Sequence, residues 1–284
     1  MDKMQVKIKK IICALVLLAL TVTLAACSDV TKRADNTDTW SKIEKRGKVV
    51  IGLDDSFVPM GFRQKDGRLV GFDVELARAV FKRLDLKVSF QTIDWSMKET
   101  ELRNGTIDMI WNGYTKTKAR EKNATFSHTY LNDEQYLVVK NNSHITNPRG
   151  MKGKILGVQT GSSGYQAYTD YPNLLKKYVG STVQYDSYNN AFLDLNAKRI
   201  QGLLIDSVYA NYYIAHQKDA SSYRKIKVGY PKEEFAVGMR KGDETLEKKV
   251  NRELQRMAQD GSLKKLAQKW FGSSKEVAYQ DLLK

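Results

Sequence analysis

From Trp40 onward, short β-branched runs alternate with stretches of helical periodicity, and the alternation starts afresh at Lys154. This doubled pattern constrains the fold more than any other feature of the chain. Lys48–Leu53 (KVVIGL) reads as a buried strand, and residues 72–84 as a helix with Phe72, Leu76, Val80, Phe81 and Leu84 on one face. Residues 87–93 are strand-like again, 96–104 form a helix that Gly105 stops, and 106–111 (TIDMIW) give a third strand. Strands and helices in this order predict a mostly parallel sheet with helices on both faces. The second unit has the same scheme without repeating the sequence. Its strands fall at 154–158, 182–185, 202–205 and 226–229, and its helices at 162–169, 189–197 and 207–216.

Two segments connect the units. Residues 136–140 (YLVVK) form a strand that leaves the first unit, and 235–240 (FAVGMR) lead the chain back. Residues 244–271 are then two helices broken at Asp260-Gly261, with Leu246, Val250, Leu254 and Met257 on one face. The expected organisation is a discontinuous first lobe (40–138 and 236–284) and a continuous second lobe (139–235), with two hinge strands and a cleft between them. A cleft of this kind is a default ligand site, and paired connecting strands suit a hinge.

Ahead of these units, Lys3, Lys7, Lys9 and Lys10 precede an uncharged run of sixteen residues, 11–26, and the tetrad Leu24-Ala25-Ala26-Cys27 closes it. This is the layout of a secretory signal over residues 1–26. The run is shorter than the roughly 20 apolar residues that span a bilayer. The tetrad resembles the lipobox of bacterial lipoproteins. That implies lipid on the Cys27 thiol and a chain anchored at the extracytoplasmic face of the cell membrane. The mature chain would then have 258 residues, enough for one large domain or two modest ones. Cys13 falls in the signal, so no internal disulfide is expected and the core alone must stabilise the fold. Residues 28–39 are polar and read as a flexible tether. The formal charge is +15, of which about +12 lies beyond the signal, on helical faces such as Lys248, Lys249, Lys264, Lys265 and Lys269. With no arginine-rich arm and no nucleic-acid motif, this charge suits a surface near anionic lipid or cell-wall polymer, not a nucleic-acid partner.

Seven stretches carry a more specific signal: GLDDSFVPMGF (52–62), GRLVGFDVELARAV (67–80), NGTIDMIWNGYTKTKAR (104–120), ATFSHTY (124–130), MKGKILGVQTGSSG (151–164), GLLIDS (202–207) and DGSLKKLAQKWFG (260–272). In this order they resemble the polar amino acid-binding proteins of ABC importers (solute-binding protein family 3), which include the glutamine-, histidine- and lysine/arginine/ornithine-binding proteins. The resemblance runs from about Trp40 to Gly272. It implies a periplasmic-binding-protein-like type II α/β fold of two lobes. It also implies capture of a free amino acid by a monomer without cofactor, metal or catalytic activity, and delivery to a membrane permease and its ATPase.

A buried zwitterion needs an anion for its ammonium and a cation for its carboxylate. Arg120 closes a stretch that follows a buried strand, where a guanidinium can grip a carboxylate with two donors. The resemblance carries that role onto Arg120, with Asn112, the backbone at Gly113 and the Thr115 hydroxyl beside it. Asp206 ends a buried strand, where open α/β sheets place ligand contacts. The resemblance assigns it the ammonium; capping the helix that begins at Ser207 is the structural alternative. Gln159, Ser162 and Ser163 lie in a strand-to-helix turn whose N–H groups favour an anion, and by resemblance they meet the carboxylate from the second lobe. Phe57 and Trp95 match ring positions against the ligand side chain, and Asp54 the position that reads a polar side chain. Asp55 faces the other way on an extended strand.

Trp111 and Asn112 stand where better-known members carry small residues, and Ile205 where the glutamine binder has a histidine. An anion at Asp54 argues against acidic ligands and favours glutamine, arginine, lysine or histidine. Catalytic patterns are lacking: His128, His144 and His216 are scattered, and there is no G-x-S-x-G elbow. Asp73 and Glu75 read as charges that cap and solubilise a helix N-terminus. The alternative functions are an extracytoplasmic cyclohexadienyl dehydratase on the same fold and a ligand-sensing subunit for a partner receptor.

Overall fold

A computed structural model describes residues 37–283. The signal, Cys27 and the tether up to residue 36 lie outside the described residues. Helix α1 (Trp40–Arg46) leads into β1 (Lys48–Leu53), whose bounds are those expected from its β-branched run. Three very short strands follow, β2 (Ser56–Phe57), β3 (Gly61–Arg63) and β4 (Leu69–Val70), in an antiparallel sheet of their own. The lobe continues with α2 (Phe72–Arg83), β5 (Lys87–Thr92), α3 (Lys98–Asn104), β6 (Met109–Ile110) and β7 (Ala124–Phe126). Strand β8 (Leu131–Asp133) then leaves it, and β9 (Gln135–Lys140) enters the second lobe.

There the chain forms β10 (Ile155–Gln159), α4 (Ser163–Asp170), β11 (Ser181–Tyr185), α5 (Tyr188–Asn196), β12 (Gly202–Asp206), α6 (Ser207–Ala215) and β13 (Tyr223–Lys227). It returns through β14 (Glu233–Phe235) and β15 (Gly238–Arg240) to α7 (Glu244–Gln259), α8 (Ser262–Phe271) and α9 (Tyr279–Leu282).

The two five-stranded sheets share one plan, β5-β1-β6-β15-β7 and β11-β10-β12-β9-β13. In each, three parallel strands are continued by an antiparallel one that arrives directly from the crossing: β15 beside β6, and β9 beside β12. In each sheet one strand runs against the other four, so the mostly parallel sheets that the strand–helix alternation predicts each carry one antiparallel strand. This is the two-lobed periplasmic-binding-protein-like type II architecture.

The crossing differs from the expected one. Residues 135–138, placed in the first lobe by the sequence pattern, pair with β12 and β13 in the second sheet. The hinge pairing is β8 with β14, in register Asp133↔Glu233 and Leu131↔Phe235. Residues 235–240 are two strands, because the intervening Ala236 and Val237 donate to Tyr114 O and Ser127 Oγ. The C-terminal segment braces the hinge: Asn132 N donates to Glu276 O (2.7 Å) and Ala278 N to Tyr130 O (3.1 Å).

Helix α7 buries Leu246, Val250, Leu254 and Met257, the face its 3.6-residue spacing defines, in a core shared with α2. Gly71 fixes the start of α2. Its φ is +140°, and a Cβ there would lie 2.3 Å from Met60 O, so only glycine lets the β2–β4 sheet close onto the helix. Among the described residues no helix is long and apolar enough to cross a membrane.

Candidate ligand-binding cleft

The lobes meet at the carboxyl ends of their parallel strands, where an α/β sheet presents free backbone groups and helix N-termini. Asp54 follows β1, Asn112 and Gly113 follow β6, Gln159 ends β10 and Asp206 ends β12. Together with Phe57, Trp95, Arg120, Ser162 and Ser163 they line one enclosed cavity. Thr115 stands just behind that wall, its hydroxyl 3.1 Å from Ser163 Oγ. The cavity has about 10 Å³ of room, enough for one water and far less than a typical ligand pocket. Admitting an amino acid therefore requires the lobes to part.

At one end Arg120 lies with its guanidinium 4.6 Å above the Tyr114 ring. Nη1 donates to Thr115 O (2.9 Å), and Nη2 crosses the cleft to Gly161 O (3.1 Å). Lys98 converges on the same carbonyl, with Nζ 2.9 Å from Gly161 O and 3.0 Å from Trp95 O. Burial, then the neighbouring Arg120 charge, brings the Lys98 ammonium down to about 7. Ser162 caps α4, accepting from Tyr165 N, and the turn carrying Gly161 is held by Ser162 Oγ donating to Gln159 O. Arg120 and Lys98, which share Glu99 at 3.7 and 3.4 Å, and a helix N-terminus thus surround one point of the cleft, an arrangement that attracts a carboxylate.

The opposite wall is acidic, and more acidic than the sequence suggests. Asp206 accepts from Gln135 Nε2 (2.9 Å) and Tyr188 Oη (3.2 Å), and caps nothing. The capping is done from the hinge by Asp133, whose Oδ1 accepts from Ser207 Oγ and Val208 N. Glu233, opposite Asp133 in the hinge register, accepts from Thr115 Oγ1 (2.8 Å) and Ser163 Oγ (2.9 Å). Carboxylate oxygens of Asp133, Asp206 and Glu233 lie within 4.8 Å of one another, and all three residues are buried. Burial first, then mutual repulsion, holds Asp133 well above the usual carboxylate range and raises Glu233 to about 7. Burial also raises Asp206, against its hydrogen bonds and Arg120. Among the described residues this is the grouping whose oxygens could surround a metal ion; any cation placed there relieves the same repulsion.

Asp54 forms the third corner. Its Oδ1 accepts from Ser56 N and Oγ, and its Oδ2 from Gln159 Nε2 across the cleft at 3.0 Å. Asn112 Oδ1 accepts from Asp54 N and so fixes its backbone. Asp55 points away, to Arg63 and Thr92. Phe57 packs on Tyr188 and Tyr209 of the second lobe with ring centroids 5.9 and 5.5 Å apart, and Trp95 stands edge-on to Tyr114.

Sequence reading misses part of this machinery. Asp73 does not solubilise its helix: it is fully buried and accepts from Gly113 N (2.7 Å) and Tyr130 Oη (2.9 Å), so it holds the cleft turn in place. Burial pushes its carboxyl up to about 7. Glu75 on the same turn pairs with Lys269. Glu233 and Asp133 stand in no motif; the one available signal was an acidic pair, Asp133-Glu134 and Glu233-Glu234, in each segment that joins the units.

Two α/β lobes that close charged walls over a cleft define a ligand-capturing protein. Residues 49–273 match the model of the bacterial extracellular solute-binding proteins, family 3, and the chain belongs to that family. The L-cystine-binding protein TcyJ of Escherichia coli K12 is 32% identical, over 89% of this chain and 93% of that protein. The arginine-binding extracellular protein ArtP of Bacillus subtilis 168 is 28% identical, over 94% of this chain and all of its own length. The structure of an ABC uptake transporter substrate-binding protein from Streptococcus pneumoniae with bound histidine is 46% identical, with a TM-score of 0.83, and covers 85% of this chain and 98% of that one.

Proposed function

We propose that this protein is the substrate-binding lipoprotein of an ABC importer, capturing a polar amino acid and delivering it to the membrane permease and its ATPase. The observation that carries the reading is the polarity of the cleft: Arg120 and Lys98 at one end, Asp206 with its acidic neighbours at another, and Asp54 at the third. An α-carboxylate belongs at the first, an α-ammonium at the second, and a polar side chain between Phe57 and Trp95 reaches Asp54. Glutamine or a basic amino acid fits the third corner, and the histidine-bound streptococcal relative supports a basic ligand. Cys27 would carry the lipid, and residues 28–39 would set the reach of the receptor around its permease.

Transport is tested by uptake. A strain lacking this gene should lose high-affinity import of radiolabelled arginine, lysine, histidine or glutamine, and a plasmid copy should restore it. A Cys27→Ser copy should shed protein into the medium. Unchanged uptake of all four, with ligand binding intact in vitro, would favour a sensing role instead.

A further inference from the structure

The three hinge-side carboxylates do more than the single anion an α-ammonium requires. Asp133 and Glu233 are paired across the two strands that join the lobes, and both face Asp206. Like charges directly opposite on a strand pair destabilise it, and burial multiplies the cost. Hydrogen bonds do not fully offset it, because Asp133 Oδ2 has no partner although the residue is 95% buried. The Arg120 charge acts on Asp206 and Glu233 from the first lobe. The flanking acids do not contribute to the cluster: Glu134 pairs with Lys227, and Glu234 accepts from Thr129.

We propose that Glu233 and Asp133 complete, with Asp206, an ammonium subsite that releases a shared proton to solvent when the ligand's amine enters, and that Glu233 is its positioning residue. The inference rests on reading the cleft as an amino acid site. No ligand bond is made or broken; a carboxyl proton leaves and an N–H⁺ of the ligand takes its place. When Glu233 is charged it draws the hydroxyl protons of Thr115 and Ser163 toward itself, which leaves their lone pairs facing the incoming ammonium. Burial, then the nearby Asp206 charge, raises Glu233 to about 7 in the closed cleft without ligand, and an ammonium beside it favours the charged form. Affinity is therefore greatest above that range and falls with pH below it, by up to about tenfold per pH unit for one linked proton. Ligands whose amine is acylated or replaced by a hydroxyl or keto group should be rejected.

Calorimetry with L-arginine, L-lysine and L-glutamine tests this, since their side chains and carboxylates keep one charge between about pH 5.5 and 8 and the ratio of variant to wild-type affinity cancels any loss of the amine proton. For any that binds, titrations in two buffers of different ionisation enthalpy should show proton release in wild type. Release should be reduced in Glu233→Gln. Lys98 also favours its neutral form when the cleft is closed, so the wild-type profile alone is not diagnostic; the ratio of the two affinities is. Glu233→Gln should bind about tenfold more weakly than wild type near pH 8 and equally near pH 5.5. Glu234→Gln should match wild type throughout. A ratio that stays constant with pH, or stabilisation of the free protein by calcium or magnesium that is lost in Glu233→Gln, would overturn the proposal. Binding of none of the three, and of L-histidine neither, would overturn the reading of the cleft and the proposal with it.

Discussion

Arg120 and Asp206 are partners of opposite charge on opposite lobes, and each is buried where a lost counter-charge is costly. Replacing either by alanine should weaken ligand binding by roughly 2–5 kcal/mol, because one end of the zwitterion is left unpaired. Calorimetry of the two variants reads this directly, and wild-type affinity in both would contradict the assignment. Asp73 makes a different prediction. Its folded carboxyl is raised to about 7 from an ordinary 3.8, so the folded state holds the proton more tightly than the unfolded chain. Its contribution to stability is therefore full at low pH and is lost as pH rises toward 7, by a few kcal/mol at most. Asp73→Asn keeps an acceptor for Gly113 N and Tyr130 Oη. Urea unfolding at about pH 4.5 and 7.5 should show a smaller loss with rising pH in this variant than in wild type. Arg120, Asp206 and Asp54 were singled out by the family resemblance, and the structure brings all three to one cavity. The roles of Asp73, Asp133 and Glu233 were not legible in the sequence. Their importance comes from neighbours distant in sequence (Gly113, Ser207, Thr115), and spacing along the chain carries no trace of such contacts.

At the scale of elements, legibility followed periodicity. The strands and helices with full β-branched runs or wide apolar faces, such as β1, β10, α2 and α7, lie where the pattern put them. The strands β2, β3 and β4 are two or three residues long and have no period to read. The crossing was misplaced for a related reason: β9 is an apolar strand whichever sheet receives it, and only pairing decides its lobe. The junction between β4 and α2 depends on one backbone angle. Gly71→Ala forces a side chain against Met60 O at φ +140°. It should cost on the order of 1–3 kcal/mol, a fall of several degrees in melting temperature for a chain of this size. Scanning calorimetry reads it, and an unchanged melting temperature would show that the turn can relax.

The whole molecule is two similar sheets joined by strands that each sheet borrows from the crossing. Because β9 and β15 continue directly from the hinge, a change in the pairing of β8 with β14 moves the lobes as bodies. Across the closed cleft Gln159 meets Asp54, Lys98 and Arg120 meet Gly161, Thr115 meets Ser163, and Phe57 packs on Tyr188 and Tyr209. A ligand that bridges the same walls favours closure by its differential affinity for the closed form. The measurement that tests this account most directly is a thermal-shift screen of residues 28–284 against the twenty amino acids, ornithine and cystine. Glutamine or a basic amino acid should raise the melting temperature in proportion to the logarithm of its concentration, and Asp206→Ala should abolish the rise. A flat screen across all of them would contradict the account.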